Sequence, residues 1–128
     1  MKCKELMVGD FCRSGHGLPM QITNVGEDYA YATFEGNEGD PWEFDDKDER
    51  PQPIPLTTEI LEKNGWERNG IFMKKRIDEN THLSWTDICG SVLSQGNYYM
   101  CDCKYVHTLQ HALKLCGLDE LANNFKVV

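Results

Sequence analysis

The stretch from Val106 to Val128, VHTLQHALKLCGLDELANNFKVV, places the tightest constraint on what this chain can become. At about 100° per residue, Val106, Leu109, Ala112, Leu113 and Cys116 share an arc of about 120°, wide enough for a core-facing stripe. His107, Gln110, His111 and Lys114 take the opposite side. Gly117 stands where a left-handed cap belongs, and Leu118 is the apolar residue that folds back on the last turn. A helix built this way needs a sheet to cover its apolar edge. The expectation is that the Cys116 thiol turns inward while both imidazoles face water.

Ahead of that helix the pattern is mostly strand. Leu6, Val8-Gly9-Asp10 and Phe11 read as a first strand entering a small barrel. Met20 to Val25 and Tyr29 to Phe34 alternate with a period near two around the turn Gly26-Glu27-Asp28, which predicts a hairpin. A short strand around Trp42 to Phe44 interrupts the stretch Glu35 to Glu49, which carries eight carboxylates against one lysine. Pro51-Gln52-Pro53-Ile54-Pro55 is held extended, because each proline pushes its predecessor out of the helical region, and it reads as a spacer. Thr57 caps a short helix, Leu56 and Leu61 can staple its start, Asn64-Gly65 ends it, and Trp66 is placed to pack back on Leu61.

Three strand-like runs follow: Trp66 to Ile77 with a turn at Asn69-Gly70, His82 to Leu93, and Asn97 to Tyr105. In the last, Tyr99, Cys101, Cys103 and Tyr105 are expected to share one face. The fold class is therefore α+β. Residues 1–50 form a small β-barrel-like lobe, and residues 51–128 form an α-β-β-β-α lobe in which helices cover one face of an antiparallel sheet, the two making one unit.

At 128 residues the chain can bury a core without disulfide staples. No apolar run approaches the ~18 residues of a membrane span, and Met1-Lys2-Cys3-Lys4-Glu5 lacks a signal core, so the expected setting is the cytoplasm, with no membrane. In that reducing compartment Cys3, Cys12, Cys89, Cys101, Cys103 and Cys116 are expected as thiols. A net charge of -8 works against nucleic acid as a partner, since that affinity comes mainly from neutralising phosphates. The one basic cluster, Lys74-Lys75-Arg76, reads as a solvated face. The acidic stretch does not have the ligand order of a calcium loop; it is a solvated loop, or in a more pointed reading a surface that mimics nucleic acid or docks on a basic partner.

Motifs that carry chemistry are sparse. His107 and His111 stand four apart, the spacing that lets two imidazoles share a metal ion such as zinc, but Cys116 lies on the other side of the helix and Lys114 adds a positive charge nearby. Cys101-Asp102-Cys103 lacks the two-residue spacer and helix N-terminus of a redox pair, and reads as small apolar residues under a helix. Ser14-Gly15-His16-Gly17 has a serine and a histidine but no nucleophile elbow, and a turn between strands accounts for its glycines. Trp42, Phe44 and Trp85, with His107 and His111, are the candidate partner-binding residues; the plainer reading of each aromatic is that it closes the core.

Several stretches resemble a family of small uncharacterised proteins found in Bacteroidetes and in their phages and other mobile elements. Glu5-Leu6-Met7-Val8-Gly9-Asp10-Phe11 is similar to that family's Leu-x-Ile-Gly-Asn/Asp-aromatic start, and Pro53-Ile54-Pro55-Leu56-Thr57 to its Pro-Ile-Pro-Leu-Thr centre. Tyr105-Val106-His107-Thr108-Leu109-Gln110-His111 is similar to its Val-His-x-Leu-Gln close. The resemblance implies an SH3-like barrel for the N-terminal lobe and a phage or mobile-element setting, and it transfers no catalytic residue. Two readings stand: a non-enzymatic protein that binds a macromolecular partner, and a metal-dependent protein or hydrolase that uses His107 and His111.

Overall fold

Two antiparallel sheets of five strands each, with helices on the second, make up an α+β architecture in a computed structural model that describes residues 1–88 and 90–128. Cys89, one of the six expected thiols, lies outside the described residues, and the other five are free. The first sheet curls into a half-barrel with the order β4-β3-β2-β1-β5, formed by β1 (Phe11–Arg13), β2 (Pro19–Val25), β3 (Tyr29–Thr33), β4 (Trp42–Asp45) and β5 (Gln52–Pro53). The hairpin read from alternation is the β2–β3 pair, with a bulge between Ile22 and Asn24 that sharpens the curl. Each small alanine faces a larger neighbour across the sheet, Ala32 against Ile22 and Ala30 against Phe44. These residues close a core with Cys3, Leu6, Cys12 and Met20.

The extended stretch read as a spacer is also the fifth strand. Pro53 pairs with Cys12 and Gln52 with Arg13; a sheet edge tolerates the prolines because one side needs no N–H donor. Directly after it, the Ile54 carbonyl accepts the Val106 N–H (2.9 Å) and the Leu56 N–H donates to Lys104 (2.9 Å). The same few residues thus tie the half-barrel to the start of the long helix.

The second sheet is a meander, β10-β9-β8-β7-β6. Its strands are β6 (Glu67–Asn69), β7 (Phe72–Arg76), β8 (His82–Thr86), β9 (Val92–Gln95) and β10 (Tyr98–Asp102). The run from His82 to Leu93 is therefore two strands rather than one. Gly90, at φ 82, takes the left-handed conformation that lets the chain reverse and bring Leu93 opposite Trp85. The single shared face expected for Tyr99, Cys101, Cys103 and Tyr105 is also broken. A register shift between Tyr99 and Cys101 flips the alternation, leaving Tyr99 exposed and Cys103 buried.

Among the described residues three α-helices complete the fold: α1 (Thr58–Lys63), α2 (Val106–Leu115) and α3 (Asp119–Asn123). Thr57 caps α1 by accepting the Ile60 N–H (3.2 Å), and Trp66 N–H folds back to the Leu61 carbonyl (3.1 Å) past Gly65 at φ 81. The end of α2 repeats the device, with Leu118 N–H to Leu113 (2.9 Å) and Gly117 N–H to Lys114 (3.0 Å). Val106, Leu109, Ala112 and Leu113 are buried against Leu61, Trp66, Met73, Leu83, Trp85 and Leu93. Cys116 departs from the predicted stripe and is exposed. It is the C-cap of α2, beyond the last turn that packs. Among the described residues no helix is long and apolar enough to cross a membrane.

Candidate functional site

The polar side of α2 is not a solvent face. Gln110 is fully buried; its Nε2 donates to the carbonyls of Gly9 (2.8 Å) and Ala122 (2.9 Å), and its Oε1 accepts the Phe11 N–H (2.9 Å). The next residue on the helix, His111, pairs its Nε2 with Oδ2 of the fully buried Asp10 (2.6 Å), an oxygen that also accepts the Met7 N–H (2.8 Å). Gly9 takes φ 96, a left-handed conformation that favours glycine, and a Cβ there would lie 2.5 Å from the Asn123 side-chain Oδ1, which would have to turn aside. The expectation that both imidazoles face water is corrected: they are half-buried in the joint between the half-barrel and the helices.

His107 stacks on Tyr105, with centroids 5.8 Å apart, and meets His111 edge-on at 5.7 Å. Burial lowers its pKa, with the neighbouring His111 acting the same way and Asp10 and Glu5 opposing. The folded protein therefore resists a proton that the unfolded chain accepts below about pH 6.5. Stability from this group is complete above that pH and declines as the pH falls through and below it. His107→Phe, which keeps a ring on Tyr105, should flatten the fall in urea midpoint between about pH 7 and pH 5 relative to the parent; an unchanged slope would remove His107 as the cause.

The zinc alternative finds little support in this geometry. His111 Nε2 is engaged by Asp10, and among the described residues no three His, Cys, Asp or Glu side chains gather as a group that could hold an ion. Burial raises the Cys103 thiol to about 12, which suits a core residue better than a ligand. In the Ser14–Gly17 loop, Ser14 Oγ accepts the N–H groups of His16 (3.2 Å) and Leu18 (3.1 Å), so the hydroxyl builds the turn, and among the described residues no base bonds to it.

Of the three candidate aromatics, two are structural. Trp85 is 1% exposed and its Nε1 donates to the Cys103 carbonyl (2.8 Å), and Phe44 is 3% exposed. Neither can meet a partner. Trp42 differs because of its register: it shares the inner face of β4 with Phe44 but pairs with Ala32 two residues nearer the open mouth of the half-barrel. There it packs at 5.2 Å on Phe44 and stays half-exposed.

That mouth is a cleft of about 590 Å³. Leu18, Phe34 and Trp42 supply its apolar surface, and Asp40 and Arg50 its charged edge. Both flanking loops are held by their own hydrogen bonds. Ser14 N–H donates to Leu18 (2.8 Å), Phe34 N–H to Asn37 Oδ1 (2.6 Å) and Asp40 N–H to Asn37 (2.9 Å). Arg50 lays its guanidinium over Trp42, with Cζ 4.8 Å from the ring centroid, and Asp48 grips it through Nε (2.9 Å) and Nη2 (2.7 Å). That grip holds the Asp48 carboxyl down at about 2.

Sequence reasoning missed Asp10 and Gln110 as the joint, and Leu18, Phe34 and Arg50 as parts of the cleft. The one available signal was Arg50, a cation closing a run of carboxylates. Comparison with protein-family models, curated proteins and solved structures finds no match to this chain.

Proposed function

We propose that this is a non-enzymatic binding protein, of a phage or mobile element, whose macromolecular partner docks in the cleft at the mouth of the half-barrel. The observation that carries the reading is Trp42, a large aromatic on β4, only half-buried inside a concave site of ligand-binding size. Aromatic anchors in such pockets supply most of the energy of protein interfaces. The phage or mobile-element setting rests on the resemblance at Glu5 to Phe11, Pro53 to Thr57 and Tyr105 to His111. Against catalysis stands the use of Ser14, His111 and the buried thiols in structural bonds or the core.

Affinity purification from a host lysate tests the reading when run with the parent and with Trp42→Ala side by side, the fold of each checked by circular dichroism. A specific partner should be retained by the parent and lost by at least about tenfold in the variant. Recovery of the bait alone, or of a partner held equally by both, would reject the cleft as the site.

A further inference from the structure

Building on the proposed cleft, we infer that its occupant is an extended peptide segment presenting an arginine or lysine next to an apolar side chain. The first fifty residues hold five lysines and arginines against twelve aspartates and glutamates, so nearly all of the net charge of -8 belongs to the half-barrel. At the cleft edge Asp40 is exposed, and among the described residues it pairs with no cation. Glu43 adds to the acidic field from the outer face of β4, where its Oε2 accepts the Tyr31 hydroxyl (3.0 Å). Such a field draws a basic segment in and repels phosphate-rich or acidic ligands.

The second requirement, an apolar companion, comes from Leu18 and Phe34, which leave a greasy wall beside Asp40. Trp42 already carries Arg50 over its ring at 4.8 Å and packs on Phe44, so the entering cation is drawn by the acidic field rather than by stacking on this indole. In an extended chain, residues two apart point the same way, so one apolar and one basic side chain can enter together while the residue between faces water.

An array of capped eight-residue peptides, each with a leucine and, two positions on, arginine, lysine, glutamine or glutamate, tests this by fluorescence polarisation at low and high salt. The arginine and lysine peptides should bind about fivefold tighter than the glutamine peptide, the glutamate peptide most weakly, and the preference should shrink in salt. The variant Asp40→Asn, a surface position, should narrow the preference of arginine over glutamine. Glutamine or glutamate binding as well as arginine, a preference unchanged in the Asp40 variant, or no binding of any peptide at about 1 mM would overturn the inference. If Trp42-dependent retention of a partner holds while the peptides show no preference for a cation, this inference fails alone; if Trp42→Ala changes neither readout, the cleft itself is wrong.

Discussion

Trp85→Ala is expected to cost about 3–5 kcal/mol, a large part of the total of about 5–15 kcal/mol that is ordinary for a domain. The indole is 1% exposed at the centre of the second sheet, opposite Met73 on one side and Leu93 on the other. Removing it opens a cavity beneath α2 and also strips the Cys103 carbonyl of its donor. Urea denaturation followed by tyrosine and tryptophan emission measures the loss. A drop below about 1 kcal/mol would mean that this core tolerates a void, contrary to the packing described.

Gln110→Leu should be nearly as damaging, although it replaces a polar residue by an apolar one of similar size in a buried place. The amide satisfies the Gly9 and Ala122 carbonyls and the Phe11 N–H, and leucine leaves them without that partner. Gly9 retains a longer bond from Gln21 Nε2 (3.2 Å). Each orphaned buried group costs roughly 1–3 kcal/mol, so a total of about 3 kcal/mol is expected. Because the lost bonds join α2 to β1, amide exchange should quicken first at Phe11 to Arg13. Uniform protection with an unchanged urea midpoint would show that the joint depends on something other than Gln110.

How legible this was in the sequence follows from how local each signal is. The stops at Gly65 and Gly117 and the cap at Thr57 were readable, because each is decided within about six residues by a φ or a side-chain acceptor. The aliphatic edge of α2 was readable for the same reason. Its polar edge was misread because a helical wheel sorts residues by type and cannot see their partners. Gln110 and His111 are buried by Gly9, Asp10 and Phe11, about a hundred residues away in the chain.

Trp42, Phe44 and Trp85 look alike as letters. Strand register alone separates the rim residue from the two core residues, and the bulge between Tyr99 and Cys101 shows how one extra residue reverses an alternation that the sequence presents as unbroken. The acidic stretch was visible from the start. What was not visible is that the curl of the first sheet stands Asp40 near Leu18 and Phe34.

The most direct measurement is site-specific photocrosslinking, with benzoylphenylalanine in place of Leu18 at the cleft or of Tyr98, 80% exposed on the far sheet, in a lysate containing the partner. Crosslinked partner from position 18, abolished by adding Trp42→Ala, with none from position 98, is the predicted result. Adducts from position 98, or adducts from position 18 that persist without the indole, would contradict the account.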